Sequence, residues 1–185
     1  MSKTSSNMLP LGTPAPDFRL PDTVTGKHFS FGEIAGSRAT LVMFICNHCP
    51  FVKHILDELV RLGNDYKLPD VGICAISSND VVGFPQDRPE RMKEVAEQKK
   101  FAFPYFYDEP QNTARAFGAA CTPDFYIFDA NRRLSYRGQL DDSRPGNGIP
   151  VTGRDIRGAL DCLIDGSPVP EDQKPSIGCN IKWKR

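Results

Sequence analysis

The sequence predicts an α/β domain with a mixed central β-sheet and helices on both of its faces. Three observations predict it. Two nearly unbroken apolar runs, residues 39–45 (ATLVMFI) and 71–76 (VGICAI), read as strands buried on both sides. Helical patterns alternate with such runs through the middle of the chain, which requires parallel strands and crossover helices. Two further apolar stretches flank a short polar turn near residue 130, which adds an antiparallel hairpin.

Residues 1–16 read as an N-terminal loop, because Pro10, Pro14 and Pro16 interrupt any regular element. Residues 28–31 alternate polar and aromatic, as a short strand does. After the run at 39–45, Pro50 suits the first position of a helix, where its missing N–H costs nothing. Phe51, Ile55, Leu59 and Leu62 then fall on one helical face. Residues 89–100 form a polar helix with Met92, Val95 and Ala96 on one side. Residues 101–107 are an aromatic strand interrupted by Pro104, and 111–117 a short helix stopped by Gly118. Residues 124–128 and 133–137 are the hairpin strands. Residues 155–164 place Ile156, Ala159, Leu160 and Leu163 on one face of a last helix. Residues 167–185 read as a Pro-rich C-terminal tail. With no internal repeat or linker, 1–185 is expected to be a single domain.

The chain has 185 residues, 39% of them hydrophobic and 25% charged, so it carries enough apolar side chain for a packed core. Acidic and basic residues balance at 23 each, which argues against non-specific nucleic-acid binding. No apolar run reaches the length of a membrane span, and residues 1–11 lack the apolar centre of a secretory signal. A cytoplasmic protein is expected. Its six cysteines are then kept reduced, so a close pair is catalytic or metal-binding rather than a structural disulfide.

That pair is Cys46–Asn47–His48–Cys49, followed by Pro50. A strand delivers Cys46 to its carboxyl end, where open α/β sheets place their sites. The helix beginning at Pro50 turns its free N–H groups and positive dipole end toward the sulfurs, which favours thiolate. The spacing lets both sulfurs meet across one turn, and the imidazole of His48 is placed to stabilise a thiolate. Cys46, ahead of the helix and more exposed, is the expected nucleophile, and Cys49 the resolving thiol. Two other readings are zinc held by this pair with His54, Cys121 or Cys179, or inert cysteines. Zinc is disfavoured because the motif follows an apolar strand and no second close ligand pair exists.

Cys121–Thr122–Pro123 precedes the first hairpin strand, and its proline is either an ordinary trans residue or a cis one. A cis bond would let the backbone of Thr122 pair with an extended substrate. Cys179 is an extra resolving thiol or a surface residue. Cys74 is expected to be a buried hydrophobe, and Cys162 to lie on a helix flank without a partner. His28 is not assigned a role, and His54 is expected to be a solvated helix residue. Asp141, Asp142 and Arg144 read as turn chemistry with a surface ion pair.

Several of these segments resemble one family. Residues 12–20 (GTPAPDFRL) are similar to the opening of the alkyl hydroperoxide reductase/thiol-specific antioxidant proteins and their thioredoxin-like relatives. Residues 41–50 (LVMFICNHCP) resemble their active-site strand and helix start. Residues 117–118, 122–123 and 125–129 resemble the stretch that carries the cis-proline of the thioredoxin fold. The likeness runs over residues 11–164. Residues 175–184 (PSIGCNIKWK) are similar to the tail of a subgroup that shares CxHCP. The resemblance implies a thioredoxin fold, a Cys46/Cys49 redox pair, a cis Pro123, and Thr122 beside the sulfurs with Cys121 close behind.

Two departures bear on activity. Peroxiredoxins carry a proline and a threonine ahead of the peroxidatic cysteine, and if that cysteine is Cys49, Val42 and Cys46 stand there instead. Thioredoxin carries a tryptophan and a buried acid where this chain has Ile45 and Thr40. The expected activity is thiol–disulfide exchange, with protein or small-molecule disulfides as substrates, a thiol electron donor and no organic cofactor. The alternatives are a thiol peroxidase and a metal-binding or redox-sensing module.

Overall fold

The computed structural model describes residues 3–66 and 69–184. The ends of the expected terminal loop and tail, Met1, Ser2 and Arg185, lie outside the described residues.

The centre is a five-stranded sheet in the order β6-β5-β4-β8-β9. These strands are β4 (Ala39–Phe44), β5 (Val71–Ser77), β6 (Tyr105–Tyr107), β8 (Asp124–Asp129) and β9 (Leu134–Gly138). The first three run parallel; β8 and β9 run antiparallel to their neighbours. β4 is the middle strand and all six of its residues are buried, as an unbroken apolar run requires. Its side chains alternate between two cores. Leu41 and Met43 face one layer, which packs helices α2 (Pro50–Asp65), α3 (Pro89–Lys99) and α5 (Arg154–Asp165) through residues such as Leu59, Met92 and Leu160. Val42 and Phe44 face the other layer, which packs α1 (Phe31–Ile34) and α4 (Asn112–Ala116) with a cluster of phenylalanines. Helices thus cover both faces. Among the described residues, none is long and apolar enough to cross a membrane.

Several sequence expectations need correction. The strand expected over residues 28–31 forms as β3 (His28–Ser30), pairs with β2 (Arg19–Pro21) and stops at Ser30. Ser30 caps α1 by accepting from the Glu33 N–H, and the Glu33 carboxylate accepts from the Ser30 N–H. Residues 101–107 are strand only at the end, since Pro104 has no N–H to give a ladder.

The N-terminal loop and the C-terminal tail are the largest departures. β1 (Lys3–Ser5), β10 (Ile177–Asn180) and β7 (Cys121–Thr122) form a separate three-stranded sheet with β10 in the middle. The tail is therefore an internal strand, pinned on both sides. Ile181 N–H donates to Ala120 O, Lys182 N–H to Asn79 Oδ1, and Asp80 N–H to Lys182 O.

Asp141 is also corrected. It is buried, and its carboxylate accepts from the backbone N–H groups of Ser143, Thr152 and Gly153, fixing the entry to α5. Its neighbour Asp142 does hold the exposed ion pairs, with Arg154 and Lys174.

Candidate active site

β4 ends at Phe44 and α2 begins at Pro50, so the turn between them carries the whole motif. Cys49 is the N-cap of α2 and Pro50 its first residue. Cys46 and Cys49 lie at the two ends of this turn, close enough for each thiol to shift the ionisation of the other. Both residues are buried, at 1% and 0% exposure. The expected difference in exposure is absent, because the chain folds its own tail and a loop over the motif.

Thr122 and Pro123 meet this turn from β7. The Thr122–Pro123 bond is cis. Thr122 Oγ1 lies 3.4 Å from Cys46 Sγ, and Thr122 O lies 3.1 Å from Cys49 Sγ. Cys121 is buried just behind, its thiol 3.6 Å from Pro123 O, and burial raises its pKa. Residues far apart in sequence thus share one side of the sulfur pair.

The edge expected to hold substrate is already taken. β10 pairs with β7 in antiparallel register, Cys179 opposite Thr122 and Asn180 opposite Cys121. An extended partner cannot add at Thr122 while β10 occupies it. At Thr122, β10 stands where the sequence reading placed a substrate chain.

The other side of the motif is organised by Asp87, which follows the turn Pro85–Asp87 and is fully buried. One of its oxygens accepts the backbone N–H groups of Asn47, at 2.8 Å, and His48, at 3.2 Å. The other accepts His48 Nδ1 and, at 2.9 Å, Asn79 Nδ2. Burial works to raise the Asp87 carboxyl, but the bonds from His48 and Asn79 outweigh it and hold it below the usual carboxylate range. Asn47 is fixed further by donating to Gln86 O and by accepting from the Tyr105 hydroxyl. His48 stacks on Phe84, with ring centroids 5.2 Å apart. Its Nδ1 lies 3.8 Å from Cys46 Sγ.

The charge of the pair follows from this geometry. The contact with Cys49, burial, and the nearby Asp87 carboxylate all raise the Cys46 thiol, against the Thr122 hydroxyl, which lowers it. The Cys46 thiol lowers Cys49 most. Burial opposes that, while Cys179 and the Val52 N–H lower it further, to about 4. Thr122 O, 3.1 Å from Cys49 Sγ, favours a proton on Cys49, against the positive end of the α2 dipole and the Val52 N–H. The anion therefore settles on Cys49. This reverses the acidity expected from the sequence, because Cys46 sits beside Asp87 and Cys49 is the residue that caps the helix.

A cavity of about 130 Å³ reaches Cys46, with Val52, Leu56, Val95, Phe101 and Tyr105 in its wall. Its apolar lining and small volume suit a compact molecule.

Ligating atoms of Cys46, His48 and Asp87 lie within 4.8 Å of one another. Both Asp87 oxygens already accept N–H donors, so a cation there would have to break that set. The group is better suited to holding the turn. His54 is not part of it, and its Nε2 contacts Ser143 Oγ. Cys74 is a buried strand residue, and Cys162 is half-buried on α5.

Asp87, Asn79 and Asp124 escape the sequence reading. Asp124 begins β8 directly after Pro123 and is fully buried, accepting from the Tyr126 hydroxyl at 3.0 Å. Burial pushes its carboxyl up to about 7. A raised carboxyl favours the fold fully below the unfolded value of about 3.9, and that contribution is lost as pH rises through 7. Asp124→Asn should therefore flatten the fall in stability between pH 4 and pH 7. At pH 8 the gain should be on the order of 4 kcal/mol before repacking, read from urea denaturation at each pH.

Comparison with known proteins agrees with this architecture. The AhpC/TSA family model matches residues 11–137. The chain is similar to an uncharacterized conserved protein from Geobacillus kaustophilus, with 59% identity, a TM-score of 0.98, and 100% of this chain and 97% of that one covered. It is also similar to a hypothetical protein from Sinorhizobium meliloti, with 48% identity, a TM-score of 0.95 and 98% of each chain covered. A thiol:disulfide interchange protein of the thioredoxin family from Chlorobium tepidum shares the fold, at 19% identity and a TM-score of 0.64, over 83% of this chain and 97% of that one. A comparison with curated proteins finds no match. A matched segment that spans most of the chain, on a mixed sheet with a cysteine-bearing strand–helix turn, places this protein in the AhpC/TSA family of thioredoxin-like redoxins.

Proposed function

We propose that the protein is a thiol–disulfide oxidoreductase whose redox pair is Cys46 and Cys49. The single observation that carries the reading is the placement of both cysteines in one turn at the start of α2, where Thr122 contacts Cys46 Sγ at 3.4 Å and Cys49 Sγ at 3.1 Å. Cys46, which lines the cavity, is the sulfur that meets substrate. As it attacks, its proton passes to the neighbouring Cys49 thiolate. Cys46 then holds half of the substrate disulfide, and the other half leaves as thiolate. That leaving thiolate, or water, takes the proton back from Cys49. Cys49 attacks Cys46, releases the second half, and leaves Cys46–Cys49 oxidised. Asn47, His48 and Pro50 hold the turn, and Thr122 supports both sulfurs. A small thiol or a protein dithiol returns the electrons. The small cavity favours low-molecular-weight disulfides, and a reducing cytoplasm suits a chain with six thiols.

The reduced protein tests this against the aromatic disulfide dithiobisnitrobenzoate. A burst of two thionitrobenzoate equivalents per chain, with a Cys46–Cys49 bond in the peptide map, is expected. Slow release that leaves adducts on both cysteines would overturn the reading.

A thiol peroxidase is the second reading, favoured by an enclosed anionic Cys49 that only a small oxidant can reach. Peroxide consumption with a thiol donor separates the two, since exchange alone predicts no rate above that of a free thiol.

A further inference from the structure

β10 runs where an added substrate strand would lie, and it carries a cysteine. Its register sets Cys179 opposite Thr122, the residue that touches both Cys46 and Cys49. Cys179 and Cys49 each shift the ionisation of the other, which fits this register. All three cysteines belong to one buried cluster. Gly178 permits this closeness: a Cβ there would come within 2.0 Å of Thr122 O. Ser176 Oγ donates to Pro123 O, and Lys182 N–H donates to Asn79, whose amide also reaches Asp87. The strand is thus tied to the same network that holds the motif.

We propose that Cys179 is a third redox thiol, which attacks the Cys49 sulfur of an oxidised Cys46–Cys49 pair and takes over the bond. The proposal rests on the reading of Cys46 and Cys49 as the redox pair. In the step, the Cys49–Cys179 bond forms and the Cys46–Cys49 bond breaks. Cys46 leaves as thiolate and takes the proton that Cys179 gives up. No oxidant is consumed, because the chain stays oxidised by the same two electrons. The bond requires the two sulfurs to come to about 2.05 Å, and the register of β10 opposite Thr122 brings Cys179 to the side of the pair. In the reduced chain, burial and the neighbouring Cys49 thiolate push the Cys179 thiol up to about 12. Oxidation of Cys49 removes that anion and eases the loss of the Cys179 proton. The outcome is a chain that stores a disulfide while Cys46 is again a thiol facing the cavity, ready for a second small disulfide. β10 behaves as a built-in substrate segment.

The test uses the full chain, Cys46→Ser, Cys46→Ala and Cys179→Ser, each oxidised with the diazene diamide, quenched in acid, alkylated and peptide-mapped. Diamide takes two electrons and two protons from a thiol pair and becomes the hydrazine. The parent should give an intramolecular Cys49–Cys179 link beside the Cys46–Cys49 link, and both Cys46 variants the Cys49–Cys179 link alone. Cys179→Ser should show only the Cys46–Cys49 link. The proposal is overturned if both Cys46 variants, folded by circular dichroism, keep Cys49 and Cys179 alkylatable where the parent forms Cys46–Cys49. A parent that never forms Cys46–Cys49 removes the underlying reading and the relay with it.

Discussion

Cys49→Ser should trap substrate on Cys46, whereas Cys46→Ser should lose rapid exchange altogether. With dithiobisnitrobenzoate, Cys49→Ser is expected to release one thionitrobenzoate and hold the other on Cys46. The resolving sulfur is gone, and the other contacts of Cys46 Sγ among the described residues are His48 Nδ1 and Thr122 Oγ1. Steady turnover with a thiol donor should fall on the order of 10³-fold or more in each single variant. The double variant should be little worse, because the two sulfurs act as one unit. Cys46→Ser removes the thiol of a residue in the cavity wall and leaves Cys49, which is not in that wall. Intact-mass spectra of the two variants check the assignment directly. An adduct on Cys49 in Cys46→Ser, formed as fast as the parent reacts, would reverse the roles.

Asp87→Ala should be the most damaging change outside the cysteines. The side chain is fully buried and accepts four donors: two backbone N–H groups, the His48 ring and the Asn79 amide. Removing it leaves those donors without an acceptor in a site closed to water. Breaking a buried, charge-assisted set costs about 3–5 kcal/mol. In a chain of this size that corresponds to a fall in Tm of roughly 10 °C. Asp87→Asn should cost less, since an amide oxygen still accepts part of the set. The pH dependence follows from the lowered carboxyl. A depressed carboxyl contributes stability that is present above the ordinary carboxylate value of about 3.9. That contribution is lost as pH falls through the lower folded value. The stability gap between parent and Asp87→Asn should therefore be full at pH 6–8 and shrink below about pH 4. A gap that stays constant down to pH 2 would mean that Asp87 acts through shape alone. Loss of its charge should also lower the Cys46 thiol, which the carboxylate raises. Thiol alkylation rates against pH read that shift.

The two changes probe different levels of one site. The cysteines carry the electrons. Asp87 fixes the backbone on which they sit, through hydrogen bonds to residues 39 and 40 positions away in sequence. That separation explains why Asp87 gave no signal in the sequence, where it is one polar residue in the stretch before the helix at 89–100. Asn79 and Asp124 were hidden for the same reason. A single buried polar residue looks like any surface polar residue until its partners are known.

Local patterns were legible where burial is uniform along an element. The apolar run at 39–45 became the central strand β4, the period of Ile55, Leu59 and Leu62 became the inner face of α2, and Pro50 began that helix. The Cys46–Cys49 turn could be placed between them from the sequence alone. The N-terminal loop and the tail misled because their strands are short and polar outside, and each pairs with residues from the other end of the chain. Lys3 pairs with Cys179 across nearly the whole sequence, a contact that no local pattern encodes.

Sequence by itself determined the fold class, the strand–helix turn that holds two cysteines, and the family resemblance, because each rests on neighbours in the chain. Only the tertiary structure decided which sulfur carries charge, what fills the edge at Thr122, and where Cys179 goes. Those depend on donors, carboxylates and close backbone approaches brought in from distant segments, and such electrostatic balances are set by distance in space rather than by order along the chain.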